Sequence, residues 1–229
     1  DSNRMYRTLT EIALQLNNLS DPIPVQIQCI DTEIRALGLD LGLNCGYAYA
    51  LYSNKEKCWY MFPQAIGVLD LSPTRYDVGF NCFVRLQELL STIKPRLLFY
   101  EAIRFTPSFD TDVTPNVVVR RVAAPFELLV SLQQTLLLYA NDHGIPAIAI
   151  PTQVIKRVAT GSGRAKKEQI VRRCNELFKT AFTEDTVGMD NAADAAFVLY
   201  AGLQQYGNVF FGKEQDHGAS AHDSSERVC

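Results

Sequence analysis

The sequence predicts an α/β fold in which a mixed β-sheet carries helices on its faces. Short apolar segments typical of buried strands alternate with longer segments of helical periodicity along most of the chain. Two of the predicted strands lead directly into an acidic residue, Asp40 and Glu101. The composition, 47% hydrophobic and 21% charged residues, is typical of a globular protein and excludes wholesale disorder, collagen and coiled coil.

The predicted sheet follows an N-terminal helical extension. Residues 4–19 repeat apolar side chains at a helical period, and Pro22 and Pro24 break the chain after them. Three apolar segments then predict strands, and the short polar loop between the second and third predicts a hairpin. These strands are expected at residues 35–39, 45–52 and 57–62.

The rest of the chain alternates helices and strands. Each helix is predicted from an apolar stripe and each strand from a short apolar run, and Pro125 is expected to restart a helix that begins near Val117. The predicted elements are a helix at 76–93, a strand at 97–100, a helix at 117–140, a strand at 145–150, and helices at 165–178 and 190–206. This order of elements is that of the ribonuclease H-like fold.

Composition divides the chain into three regions. We expect a helical extension at residues 1–33, an α/β domain at 34–211, and a disordered tail at 212–229, where Ser, Asp, Glu and His leave little to bury. No run approaches the roughly 18 apolar residues of a membrane helix, so no membrane partner is predicted. The six cysteines form no C-x-x-C pair, which favours reduced thiols and a cytoplasmic location.

Basic residues are concentrated in one segment. The net charge of the chain is −3, yet residues 151–180 hold eight basic and two acidic side chains, which leaves −9 for the remainder. A basic segment of this kind is either a solvated helix face or a strip that neutralises the phosphates of a nucleic acid. The charge alone leaves both interpretations open.

Four acidic residues lie where chemistry is expected. Asp40 and Glu101 are at predicted strand ends, where ligands collect in α/β sheets, and Asp190 and Asp194 share one face of the last helix. Three of them have a structural alternative: Asp40 in a turn, Glu101 paired with Arg104, and Asp190 as a helix N-cap. Asp194 is surrounded by apolar residues, where an unpaired carboxylate is costly.

Taken together, the four carboxylates favour a site for divalent cations. Clustered oxygen ligands without histidine suit Mg²⁺ or Mn²⁺, and two such ions about 4 Å apart can activate water and stabilise the leaving oxygen of a phosphodiester. The histidines provide no rival centre, because His143 lies in a predicted turn and His217 and His222 lie in the predicted tail.

Four segments, in this order, resemble the motifs of the RuvC-type Holliday junction resolvases. Residues 37–42 (LGLDLG) resemble the first acidic strand of that family, and residues 98–101 (LFYE) resemble the second. Residues 151–170 (PTQVIKRVATGSGRAKKEQI) resemble its basic segment with a G-x-G turn, and residues 190–195 (DNAADA) its last acidic motif. The resemblance covers roughly residues 34–206.

The resemblance implies a role for each matching residue. The acidic residues Asp40, Glu101, Asp190 and Asp194 would bind Mg²⁺ or Mn²⁺, and Lys167 would act with them in catalysis. The implied DNA contacts are Lys156, Arg157, Gly161, Gly163, Arg164, Lys166 and Lys167, with Phe105 or Phe109 either a wedge in the junction or a core residue. The sequence departs from the family at Ala196, where some members have histidine, and at Asn191, where some bacterial members have their third acid.

The implied activity is that of a crossover junction endodeoxyribonuclease, a hydrolase that nicks a four-way DNA junction in recombination and repair. A homodimer would match the two strands to be cut. The predicted helix at residues 126–140 is apolar on more than one face, which suits either core packing or dimer contacts. Alternatives are a relaxed nuclease for forks and flaps and a non-catalytic junction-binding protein, whereas an actin-like ATPase would need a second domain. The extension and tail favour a phage, viral or organellar variant, and a phage protein would act in the host-cell cytoplasm.

Overall fold

The computed structural model describes residues 34–71, 78–103, 113–114, 117–118, 124–183, 186–207 and 209. The predicted N-terminal extension and C-terminal tail lie outside the described residues, as do Arg104, Phe105 and Phe109. The expectations for these parts therefore remain predictions.

Seven strands and five α-helices make up the described part of the chain. The strands are β1 (Ile34–Asp40), β2 (Asn44–Ser53), β3 (Cys58–Asp70), β4 (Leu97–Glu101), β5 (Val113–Thr114), β6 (Val117–Val118) and β7 (Ala147–Ile150). The helices are α1 (Val78–Ile93), α2 (Ala124–Asp142), α3 (Thr152–Thr160), α4 (Lys167–Phe178) and α5 (Met189–Gly202), and a π-helical turn, Leu203–Gly207, continues α5.

Five of the strands form one mixed sheet in the order β3-β2-β1-β4-β7. The first three strands are antiparallel, whereas β1, β4 and β7 run parallel. Side chains alternate between the two faces, so that Ala36 on β1 packs beneath α3, α4 and α5, while Leu37 packs against α1 and α2. The predicted mixed sheet with helices on its faces is confirmed.

Three elements differ from the sequence prediction. The prediction has no helix at residues 152–160, where the structure has α3, a helix of nine residues that buries Ile155 and Ala159. The helix predicted to begin near Val117 is wrong, because Val117–Val118 is a strand paired with β5 and the helix begins at Ala124. Three consecutive β-branched valines favour an extended backbone here. Strand β3 is longer than predicted, because residues 66–70 pair again with β2 beyond an irregularity that accommodates Pro63 at the sheet edge.

The described helices and cysteines have two further properties. None of the helices is long and apolar enough to cross a membrane. Four cysteines are buried free thiols: Cys45, Cys58, Cys82 and Cys174.

Helix α5 approaches the backbone of β1 and β2 closely at two glycines. A Cβ atom added to Gly38 would lie 2.7 Å from the Leu199 nitrogen and 2.8 Å from the Ala195 carbonyl oxygen. A Cβ atom added to Gly46 would overlap the carbonyl of Asn191. These two glycines allow the helix to approach the sheet closely and fix the position of its first turn.

Replacing Gly38 with alanine is therefore expected to lower the free energy of unfolding by about 1–3 kcal/mol, since α5 would have to move away from β1. Urea denaturation followed by circular dichroism measures the loss. Gly42→Ala is the matched control, because its Cβ would have only the Asn44 oxygen nearby, at 3.9 Å. Equal denaturation midpoints for the two variants would contradict the close packing of α5.

Candidate active site

Asp40 and Glu101 lie side by side at the ends of two parallel strands. The last paired residues of β1 and β4 are Leu39 and Tyr100, so the next residues in register are Asp40 and Glu101. Phe99 packs on the face of the sheet that α5 covers, and strict alternation along the strand returns Glu101 to that face. The two predicted strand-end acids thus meet beside the first turns of α5.

The other two predicted acids come from α5 itself. Asp190 and Asp194 are one helical turn apart, and the N-cap of the helix is Gly188, with φ at +74°. The alternative in which Asp190 is the N-cap is therefore wrong. Asp194 is half-buried, and the small side chains of Ala193 and Ala195 beside it are fully buried.

Electrostatic coupling indicates that three of these carboxyl groups share one pocket. Burial raises the pKa of Asp40 well above its ordinary value, and the neighbouring charges of Glu101 and Asp194 raise it further. Burial likewise raises the pKa of Asp194 to about 7, with Glu101 as the next cause. Like charges interact this way only when they lie within several ångströms of each other in a poorly solvated place. The strand-end acids and Asp194 therefore form a local excess of negative charge.

Asp190 lies at the rim of this pocket and is paired with Lys167. The Nζ atom of Lys167 donates to Oδ2 of Asp190 at 2.6 Å. Burial raises the pKa of Asp190, but the hydrogen bond and charge of Lys167 outweigh it and leave this pKa below its ordinary value. The pKa of Lys167 rises in turn, chiefly because of the same hydrogen bond. Lys167 is thus an exposed cation at the entrance to the acidic pocket.

Two residues that the sequence interpretation missed hold this arrangement together. The Thr152 hydroxyl donates to Oε1 of Glu101 at 2.6 Å. The Asn191 amide donates to the backbone carbonyl of Asn44 at 2.8 Å, and so ties the start of α5 to the first residue of β2. Both residues lie inside the motifs that carry the family resemblance, but their partners are distant in sequence and no local pattern identifies them.

The predicted basic contacts lie on α3 and the segment that follows it. Lys156 is half-buried, and its charge lowers the pKa of Asp194 against the raising effect of burial, which places it beside the acidic pocket. Arg157, Arg164 and Lys166 are exposed. These four side chains form a basic strip that begins beside the acids and extends outward along the surface.

The two predicted glycines differ in what they do. Gly161 ends α3 in the left-handed conformation, with φ at +78°, and its N–H group donates to the Arg157 carbonyl at 2.7 Å. Its amide is thus already used within the protein, although no atom lies within 4 Å of its missing Cβ position. Gly163 is half-exposed, with the Gln153 carbonyl 3.6 Å from its missing Cβ. Of the two, Gly161 has open space beside its backbone, whereas a Cβ atom at Gly163 would be in ordinary contact with Gln153.

The donor set fits a hard divalent cation, although the carboxylates are not arranged as a finished metal site. Among the residues that the structure describes, no group of three or more His, Cys, Asp or Glu side chains is close enough together to hold a metal ion. Burial, and after it the acidic neighbours, nevertheless raises the pKa values of Asp40 and Asp194, and bound Mg²⁺ or Mn²⁺ would favour the ionised carboxylates as oxygen ligands. Lys167 compensates Asp190 in the present arrangement.

Comparison with known proteins gives a structural match and no sequence match. No protein-family model and no curated protein sequence matches this chain. A structure of RuvC from Thermus thermophilus superposes with a TM-score of 0.51 at 16% identity, covering 78% of this chain and 98% of that one. T. thermophilus RuvC in complex with a Holliday junction substrate gives a TM-score of 0.51 at 15% identity, covering 77% and 96%. The likeness establishes a RuvC-like fold of the ribonuclease H-like class.

Proposed function

We propose that this protein is a structure-selective endodeoxyribonuclease that resolves Holliday junctions by paired, metal-dependent nicking. The observation that carries the proposal is that Asp40 and Glu101 both follow the last paired residues of two parallel strands, with Asp194 coupled electrostatically to both. A cluster of carboxylates of this kind suits phosphodiester hydrolysis with divalent cations. The choice of a junction as substrate is supported by the fold shared with a RuvC structure that contains one.

The acidic side chains of the pocket would bind the cations, and the neighbouring lysines would orient the scissile phosphate. Asp40, Glu101, Asp190 and Asp194 would hold Mg²⁺ or Mn²⁺, which supplies an activated water and charge compensation at the leaving oxygen. Lys167 keeps Asp190 ionised and is exposed enough to contact a phosphate oxygen. The half-buried ammonium group of Lys156 would approach the same phosphate from α3.

The basic strip would bind the DNA backbone next to the pocket. Arg157, Arg164 and Lys166 project into solvent, and phosphate contacts from such side chains supply affinity without sequence preference. Open space at Gly161 and the half-exposed backbone at Gly163 would let the backbone of the nucleic acid approach. Phe105 or Phe109 remains our proposal for the residue that opens the junction centre.

A homodimer would place two such sites on the two equivalent strands of a four-way junction. Helix α2 buries Leu132 and Leu136 against the sheet, which assigns this face to the core. Leu138 on the same helix is 64% exposed and is available for a contact with a second copy. We further propose that the enzyme acts in DNA recombination and repair in the cytoplasm, or in the host-cell cytoplasm if a phage encodes it, with no membrane partner.

Cleavage of a synthetic immobile junction tests the function directly. With Mg²⁺ the protein is expected to nick the junction symmetrically, and EDTA should stop the reaction. Asp40→Asn should reduce the nicking rate at least about 100-fold and leave junction binding intact, because it removes a cation ligand but no DNA contact. Asp142→Asn, the same change at the exposed end of α2, is the control.

The pattern of substrates separates the alternatives. Equal cutting of a Y-fork and the junction would favour a relaxed branched-DNA nuclease, and binding without nicking would favour a non-catalytic junction-binding protein. Undiminished cleavage by Asp40→Asn would show that the site assignment is wrong.

Stability should depend on pH through Asp194. The folded protein keeps a proton on this carboxyl up to about pH 7, whereas its ordinary pKa is 3.8. The group therefore stabilises the fold fully below about pH 4, and this contribution is lost as the pH rises through about 7. In EDTA, Asp194→Asn should thus become more stable than the native protein as the pH rises over this range, by a few kcal/mol at most. Urea denaturation at several pH values measures the difference.

Divalent cations should reverse this loss. At about pH 8, Mg²⁺ is expected to raise the melting temperature of the native protein and to raise it less for Asp194→Asn, because a cation that binds only the folded state stabilises that state. Asp142→Asn should respond like the native protein. A melting temperature that Mg²⁺ leaves unchanged at this pH would contradict cation binding by the pocket.

Contacts between the basic strip and DNA phosphates should make junction binding depend on salt concentration. Arg164→Ala and Lys166→Ala should each weaken junction binding and reduce the slope of log K against log salt by about 1, since each would remove one phosphate contact. Lys55→Ala is the control, because this exposed lysine lies in the β2–β3 loop at the opposite end of the sheet. Titrations at several salt concentrations measure the slopes. An equal effect of Lys55→Ala would indicate diffuse electrostatics rather than a contact strip.

A further inference from the structure

Thr152 lies directly beside the acidic pocket because of the way β4 and β7 end. The two strands are parallel, with Glu101 opposite Ile150, and the Ala102 N–H group donates to the Ile150 carbonyl at 2.9 Å. Pro151, with φ at −64° and ψ at 136°, then takes the chain into the first turn of α3. The Thr152 hydroxyl consequently reaches the Glu101 carboxylate across the neighbouring strand end, at 2.6 Å.

This hydroxyl has no role in capping the helix that it begins. The N-cap of α3 is Pro151, and no side chain caps the helix. Thr152 lies four residues before Lys156, so both side chains emerge on one face of α3, and this face is turned toward the acids. The Thr152 hydroxyl thus bonds an acid of the pocket and does not serve to cap α3.

We propose that Thr152 is a positioning residue, which holds Glu101 in one orientation and leaves its second carboxylate oxygen for the cation of the pocket. An O–H group that donates to a carboxylate at this distance makes a strong, short hydrogen bond. The branched Thr side chain has few rotamers, and its backbone is held in the first turn of α3, so Glu101 gains an anchor that is itself rigid. The inference rests on the proposed function, because it assumes that the pocket binds divalent cations.

The main test is the Thr152→Val variant, which keeps the shape of the side chain and removes the donor. Outer residues that orient metal ligands typically change metal affinity or activity about 10-fold to 100-fold when replaced. We expect Thr152→Val to weaken Mn²⁺ binding, measured by electron paramagnetic resonance of the free ion, by at least about 10-fold. Thr152→Ser, which restores the hydroxyl, should bind Mn²⁺ within about 3-fold of the native affinity.

The weaker cation binding of Thr152→Val should also appear as a nicking rate that depends more strongly on the Mg²⁺ concentration. At low Mg²⁺ the single-turnover nicking rate of Thr152→Val should fall by at least about 10-fold, and high Mg²⁺ should restore most of it. Junction affinity in EDTA should be unchanged, because the hydroxyl is not a DNA contact. Thr135→Val is the matched control, since its hydroxyl bonds only the Ser131 carbonyl within α2, at 3.0 Å, and it should change neither measurement.

A double-mutant cycle keeps the test decisive if the valine variant also loses stability. In a Glu101→Gln background, Thr152→Val should have little further effect on Mn²⁺ affinity, because the residue acts through the Glu101 carboxylate. An undiminished effect in that background, or native Mn²⁺ affinity for Thr152→Val alone, overturns the inference. Mn²⁺ binding that depends on Thr152, without junction cleavage, would leave this inference intact and contradict the proposed function. Junction cleavage that is unchanged in Thr152→Val would support the proposed function and contradict this inference.

Discussion

The close approach of α5 to the sheet is the constraint on which the rest of the site depends. Two acids belong to strands β1 and β4, and two belong to α5, so they can meet only if the helix lies directly on the strand backbones. Gly38 and Gly46 allow this, because a side chain at either position would collide with the helix backbone. The alanines of α5 contribute in the same way, since several of them are fully buried against the sheet.

This packing concentrates negative charge in a place that is poorly solvated. Asp40 and Asp194 both have raised pKa values, and burial is the main cause of each, with their acidic neighbours adding to it. A site built only for stability would pair or remove these groups, because unpaired buried carboxylates destabilise a fold. The exposed Lys167 relieves only the rim acid, Asp190. The inner acids therefore favour a ligand that carries concentrated positive charge, which is the physical basis of the proposed cation site.

The sequence was sufficient for the parts of the structure that local pattern controls. Apolar periodicity identifies the strands of the main sheet and most of the helices, although not the short helix α3, and the strand ends at Asp40 and Glu101 follow from it. The prediction failed at Val117, where β-branched residues were placed in a helix although they form a short strand. It also missed Thr152 and Asn191, whose roles depend on partners 51 and 147 residues away. Such partners follow from strand order and helix placement, which local periodicity does not specify.

Helix α3 connects the acidic pocket with the basic strip. It has only nine residues, begins at Thr152 beside Glu101, and ends at the left-handed Gly161 next to the exposed strip. One of its faces carries the Thr152 hydroxyl and the Lys156 ammonium group toward the acids, while Arg157 projects into solvent. Its buried Ile155 and Ala159 hold it on the core shared with α4 and α5. Because one short, packed helix carries both the Thr152 hydroxyl, which donates to Glu101, and the basic side chains of Lys156 and Arg157, core packing fixes the spacing between these groups.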